Sequence, residues 1–225
     1  MEYFEDIQLL DNKLIINGDV YSYLSKIGEG KSAISLLYEN HNHKKVTLKN
    51  YIQTEQNAIP LTEAVNFEIL SHERMAVAGI SIPKLIGFNK EKLLLVKEYI
   101  DGPVMIDYVA QGKITDQILQ KMFDLHYKLK RAGFHVDFYP ANFIICNDRM
   151  YCIDYEAHEY NSEWDFINWG IFYWLNTNGI KEFLVTKNPD LINKPGTYKP
   201  YDAAFLEERN RLVTKFSYLE NELQN

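Results

Sequence analysis

The chain has 225 residues, 46% hydrophobic and 24% charged, with a formal net charge of −7. That length suits one domain, or two small lobes sharing a cleft, with the composition of a soluble globular protein. The acidic balance argues against a nucleic-acid partner, which requires a basic face to neutralise phosphates.

Met1-Glu2-Tyr3-Phe4-Glu5-Asp6 is acidic where a secretory leader would be basic, so a cytoplasmic location is expected. The longest apolar run, Gly170 to Leu175, is far too short to cross a bilayer, so no membrane partner is expected. Lys13-Leu14-Ile15-Ile16 reads as a strand, Asn17-Gly18 as a hairpin turn, and Val20 to Ile27 as the returning strand. Ala33 to Glu39 and Lys45 to Tyr51 are two more strands, joined by the polar turn Asn40-His41-Asn42-His43. After Pro60, Ala64, Phe67, Ile69, Leu70, Met75 and Ala76 recur at roughly helical spacing, and Gly79 ends that helix. Lys84 to Phe88 and Leu93 to Tyr99 are short apolar strands, and Asp101-Gly102-Pro103 breaks the chain.

Beyond the break the periodicity becomes helical. Ile114 to Ala132 is a long amphipathic helix closed by Gly133, and Phe143 to Cys146 with Met150 to Asp154 form a small hairpin. Trp164 to Leu175 and Asp202 to Leu223 are two further predicted helices. Cys146 and Cys152 are read as free thiols, although their separation across the hairpin turn leaves a disulfide geometrically open. The fold class expected is α+β, with a strand-rich front lobe carrying one helix and a mainly helical back lobe, divided near residue 100.

The strongest chemical signal is His135-Val136-Asp137-Phe138-Tyr139-Pro140-Ala141-Asn142. Phosphoryl transfer to a hydroxyl needs a carboxylate to accept the hydroxyl proton and oxygen ligands for Mg²⁺; H-x-D-x-x-x-x-N supplies both from one loop. By itself the same loop is also what turn-capping Asp and Asn residues look like. Asp154, closing the apolar strand that ends Cys152-Ile153, adds the metal-binding aspartate expected across a hairpin. In the front lobe, Gly28 and Gly30 in Ile27-Gly28-Glu29-Gly30 sit between strands, where glycine lets backbone N–H groups approach phosphates. Val46-Thr47-Leu48-Lys49 offers Lys49 to the α- and β-phosphates. Glu68, nineteen positions on, is preferred over Glu63 and Glu73 as its carboxylate partner.

With these elements in order, the chain resembles the protein-kinase-like superfamily from about Val20 to Leu175. The resemblance implies residues 1–100 as a nucleotide-binding lobe and 101–225 as a catalytic lobe, together one bilobal catalytic domain. It implies ATP and Mg²⁺ as cofactors, with Asp137 as base, Asn142 and Asp154 on the metal, and Lys49 on the phosphates. It also implies an adenine-binding hinge in which backbone groups of Glu98 and Ile100 pair with the base. Asp165 would belong to a central helix bracing the catalytic loop. The chain departs from the superfamily pattern at Ala33, in place of the third loop glycine, and at Val136, in place of the arginine before the base. Asp154 and Asp165 are only eleven residues apart, which leaves no room for an activation segment.

That brevity resembles aminoglycoside phosphotransferases, choline/ethanolamine kinases and the minimal RIO and KEOPS-type kinases. The expected activity is transfer of the γ-phosphate to a hydroxyl of a small molecule. The alternatives are a minimal protein kinase or ATPase acting with a protein substrate, and a pseudokinase used for binding. Asp154, Glu156, Glu159, Glu163 and Asp165, with no intervening Lys or Arg, either attract a cationic amino alcohol or aminosugar or form a solvated face. Trp164, Trp169, Tyr173 and Trp174 either form an aromatic cage for a quaternary ammonium or pack in the core. His41 and His43 are read as hairpin polarity, His126 as packed, and His135 as a structural loop histidine.

Overall fold

A computed structural model describes residues 4, 6–55 and 59–222. The chain divides into two compact units, Met1–Glu73 with Pro83–Ile100, and Arg74–Ile82 with Asp101–Asn225.

The first unit is an antiparallel sheet of seven strands. These are β1 (Ile7–Leu10), β2 (Lys13–Ile16), β3 (Asp19–Glu29), β4 (Ala33–Asn40), β5 (Lys45–Tyr51), β6 (Leu85–Asn89) and β7 (Leu94–Glu98). Their spatial order is β1-β2-β3-β4-β5-β7-β6. The β2–β3 turn uses Asn17 and Gly18 at φ 48° and 85°, the double positive φ that lets two residues match the twist of the flanking strands. β1 lies before the first expected strand, and β3 runs past Ile27 so that Gly28 pairs with Ser35. On the outer side of β6, Phe4 accepts from Phe88 N–H and donates to the Ile86 carbonyl, so the sheet closes back on the segment leading into β1. Gly87 permits this: a Cβ there would lie 2.2 Å from the Phe4 carbonyl oxygen.

Strand alternation sorts the side chains of this sheet. Ile7, Leu14, Tyr38, Val46, Leu48, Leu94 and Val96 pack together in one buried cluster. Ala33, Tyr51, Leu85 and Leu95 instead join Leu61 and Val65 from the helix α1 (Leu61–Val77). Each fully buried aliphatic here contributes about 1.5–3 kcal/mol. The Ile80 N–H returns to the Met75 carbonyl, with Gly79 at φ 70°, which closes α1 where the apolar periodicity stops.

The second unit holds α2 (Met105–Ala110), α3 (Asp116–Arg131), β8 (Phe134–His135), β9 (Phe143–Cys146), β10 (Arg149–Cys152) and β11 (His158–Glu159). These are followed by α4 (Ile171–Leu175), α5 (Thr177–Thr186), α6 (Leu206–Phe216) and α7 (Tyr218–Glu222). α3 begins at Thr115, whose hydroxyl accepts from the Ile118 N–H, and buries Leu119, Met122, Phe123 and Leu129. Around it gather Phe138, Phe143, Phe166 and Trp174, all essentially without solvent exposure. β9 and β10 pair in the expected hairpin, with Cys146 opposite Arg149 and Cys152 opposite Phe143; both cysteines are free thiols.

Two expected helices are subdivided. Trp164 to Leu175 becomes a 3₁₀ turn at Ser162–Trp164, a π-helical turn at Phe166–Gly170, and α4. The C-terminal helix becomes a 3₁₀ turn at Ala203–Phe205 followed by α6 and α7. Among the described residues no helix is long and apolar enough to cross a membrane.

Candidate functional site

In the first unit, Lys49 and Tyr51 project from β5 on the face covered by α1. Because Lys49 pairs with Leu95 and Thr47 with Lys97, Lys97 of β7 emerges diagonally beside Lys49 on that face. α1 lowers Glu68 onto all three. Lys49 Nζ lies 2.6 Å from Glu68 Oε2 and Lys97 Nζ 2.8 Å from Glu68 Oε1, while the Tyr51 hydroxyl also donates to Oε2. Lys49, Glu68 and Lys97 are 8%, 1% and 4% exposed, so these charges have been taken out of water and hold one another. Burial alone would raise the Glu68 pKa. The two ammonium groups and their hydrogen bonds prevail and bring it down to about 2. Glu63 and Glu73 are exposed.

Gly28 and Gly30 flank the β3–β4 turn, with the Gly30 N–H donating to the Ala33 carbonyl. Neither glycine has a left-handed φ, and a Cβ at either would meet nothing nearer than 3.6 Å. The fold itself therefore does not demand glycine there, in contrast to Gly87. At the end of β7 the Glu98 N–H is committed to the Lys84 carbonyl. Ile100 is buried.

In the second unit, the loop between β8 and β9 carries Asp137 and Asn142. The Tyr139 N–H donates to Asp137 Oδ1 at 3.0 Å, and Asn142 Nδ2 donates to the Asp137 backbone carbonyl at 3.1 Å. With its amide nitrogen so used, Asn142 has its carbonyl oxygen to offer a cation. The Ile153 N–H donates to the Asn142 carbonyl, which sets Asp154 one residue beyond the rung that joins it to the Asp137 loop. Asp137 keeps an exposed edge, but crowding around its carboxyl raises its pKa. Tyr139 and Asn142 oppose that through hydrogen bonds, and the negative charges of Asp154 and Glu156 add to it. One amide oxygen and one exposed carboxylate suit Mg²⁺, which takes few protein oxygens and completes its shell with water and phosphate. Among the described residues no group of three or more His, Cys, Asp or Glu is arranged around a common point.

The loop is braced from below. Trp174 Nε1 donates to the Phe138 carbonyl at 2.8 Å, and Gly170 passes so close that a Cβ would sit 2.3 Å from Phe138 Cβ. Asp165 works one layer further out. Its carboxylate accepts from the Asn168 N–H and the Tyr160 hydroxyl, and its carbonyl from the Trp169 and Gly170 N–H groups. It is 2% exposed, whereas Glu156, Glu159 and Glu163 of the acidic run are exposed. The aromatic set divides likewise: Trp174 and Tyr173 are core, while Trp164, 45% exposed, stacks on Trp169 with ring centroids 4.2 Å apart. His135 Nδ1 accepts from the Asn161 N–H, a structural contact, and His43 Nδ1 lies 3.6 Å from Glu39 Oε1.

The sequence reading assigns no role to Tyr51, Lys97 or Tyr139, and it places Trp174 in a cage or the core without its contact to the Phe138 carbonyl. Lys97 had a signal: a lysine ending Leu94-Leu95-Val96, in a strand apolar on both faces, needs a buried carboxylate. The Tyr139 hydroxyl is buried without a hydrogen-bond partner among the described residues, and burial followed by the Asp137 charge raises its pKa. No protein-family model matches this chain, and no curated protein matches it.

Proposed function

We propose that this chain is an ATP- and Mg²⁺-dependent phosphotransferase of the protein-kinase-like fold, acting on a hydroxyl of a small molecule. The observation that carries the reading is the buried Lys49–Glu68 pair, an ionic contact across nineteen positions that costs more to bury than a hydrophobic pair would. Asp137, Asn142 and Asp154, gathered on one loop and hairpin, support it independently. In this reading Asp137 accepts the proton of the acceptor hydroxyl as that oxygen attacks the γ-phosphorus and the bond to the departing ADP breaks. Its raised proton affinity suits a base. Lys49 holds the α- and β-phosphates, Gly28 and Gly30 allow backbone N–H groups near them, and the carbonyl of Glu98 and the N–H of Ile100 meet the adenine. Asn142 and Asp154 would hold Mg²⁺, which when bound would neutralise charge on the phosphates. The exposed Glu156, Glu159 and Glu163 favour a cationic acceptor such as an amino alcohol or aminosugar.

A melting experiment with ATP and Mg²⁺ tests this. Ligand at about 100 times its Kd adds about 2.7 kcal/mol, and each kcal/mol raises the melting temperature by about 2–4 °C at this size. The expected result is a rise of several degrees that needs both ATP and Mg²⁺ and is lost in Asp154→Ala. No shift at millimolar ATP sinks the proposal. A shift without ADP release in the presence of amino alcohols, aminosugars or protein acceptors leaves a nucleotide-binding module in its place.

A further inference from the structure

The Glu68 carboxylate is held twice over, and the two holders are chemically alike but differently placed. Lys49 and the Tyr51 hydroxyl share Oε2, while Lys97 takes Oε1 at 2.8 Å. Lys49 lies in mid-strand, and Lys97 stands one residue before Glu98 at the end of β7. A carboxylate 1% exposed must keep a cationic partner, because an uncompensated charge at that depth is strongly destabilising. A phosphate sharing the Lys49 ammonium would draw part of its charge away from Glu68, and the second ammonium on the other oxygen keeps the carboxylate compensated when that happens.

We infer that Lys97 is a positioning residue for nucleotide binding: it keeps Glu68 neutralised and α1 seated, so that Lys49 can meet a phosphate while remaining on Glu68. The inference rests on the nucleotide reading above and deepens it. Lys97 touches no phosphate in this scheme and acts through Glu68 and Lys49. Its loss therefore weakens the binding of phosphates while leaving the contacts to the base unchanged. It also has no further effect once Lys49 itself is gone.

Affinities for MgATP and for adenosine, measured by calorimetry on the full chain, test this in wild type, Lys97→Met, Lys97→Arg, Lys49→Met and the double variant. The expected result is a roughly tenfold loss of MgATP affinity in Lys97→Met, adenosine affinity unchanged, and most of the loss recovered in Lys97→Arg. Groups that act through one another are non-additive, so adding Lys97→Met to Lys49→Met should change MgATP affinity by less than about twofold. If Lys97→Met binds MgATP as tightly as wild type, or loses adenosine and MgATP affinity in parallel, the Lys97 assignment is overturned while the nucleotide reading stands. A wild-type chain that binds neither MgATP nor adenosine overturns both. Adenosine binding in Lys97→Met also reports that the variant is folded.

Discussion

The carboxyl of Asp137 is pulled two ways. Crowding and the charges of Asp154 and Glu156 raise its proton affinity; the Tyr139 N–H and the Asn142 amide restrain it. In the proposed role of base, a carboxylate of raised proton affinity accepts a proton more readily. Asp137→Asn keeps the shape and the Tyr139 contact but cannot take the proton. Steady-state kinetics should show turnover reduced by about 10²–10⁴-fold, with MgATP affinity within about twofold of wild type. Turnover within about threefold of wild type would remove Asp137 from the role of base.

At the scale of elements, the β8–β9 loop owes its shape to the helical segment beneath it. Phe138 is clamped between Gly170 and the Trp174 indole, so the residue after Asp137 cannot shift without disturbing the core. Gly170→Ala forces a methyl group into space that Phe138 Cβ already occupies, an overpacking worth about 1–3 kcal/mol. Thermal melts should place it several degrees below wild type, whereas Gly28→Ala, with only ordinary contacts around it, should melt close to wild type. A Gly170→Ala chain that melts within a degree of wild type would show that the segment does not press on the loop. The clamp also shows where sequence reading reached its limit. Gly170 was visible, but an aromatic-rich run is apolar at every spacing, so its periodicity does not separate an α-helix from the wider turn in which the Gly170 N–H returns to Asp165. α5 went unread because Asn178 and Gly179 weaken its first turn; its start depends on Asn176 accepting from the Gly179 N–H. By contrast, β4, β5, α3 and the β9–β10 hairpin were legible within a few residues, since each has a clean period and a turn signal at its end. Lys49, Asp137, Asn142 and Asp154 could be named as candidates from motif resemblance, and Glu68 as the partner of Lys49 from its apolar neighbours Phe67, Ile69 and Leu70. Lys97 required the β5–β7 register, a tertiary fact.

For the molecule as a whole, acid sensitivity has an identifiable contributor. His126 is 1% exposed among Tyr127, Phe138 and Phe166, and burial, then the charge of Lys130, hold its pKa at about 3. The unfolded chain protonates this histidine near pH 6.5, well before the folded one does. The associated stability is therefore intact above about pH 6.5 and is lost as pH falls toward about 3, by at most about 1.4 kcal/mol per pH unit. Urea unfolding at pH 7 and pH 5 should show His126→Phe losing about 2 kcal/mol less than wild type over that interval. Asp165 Oδ2 lies 4.0 Å from His126 Nε2 and burial raises its own pKa, so both chains are compared in an Asp165→Asn background, which removes that titration. Equal losses in the two chains would place the acid sensitivity elsewhere. The closure of the sheet at Phe4 has a consequence of its own. An open sheet ends in rows of unsatisfied N–H and C=O groups that invite strands from other molecules. Here the outer side of β6 is partly taken by the backbone of Phe4, and the Asn89 side chain donates to the Ile7 carbonyl. The seam leaves an incoming strand less to pair with, so it guards against edge-to-edge aggregation as well as completing the fold.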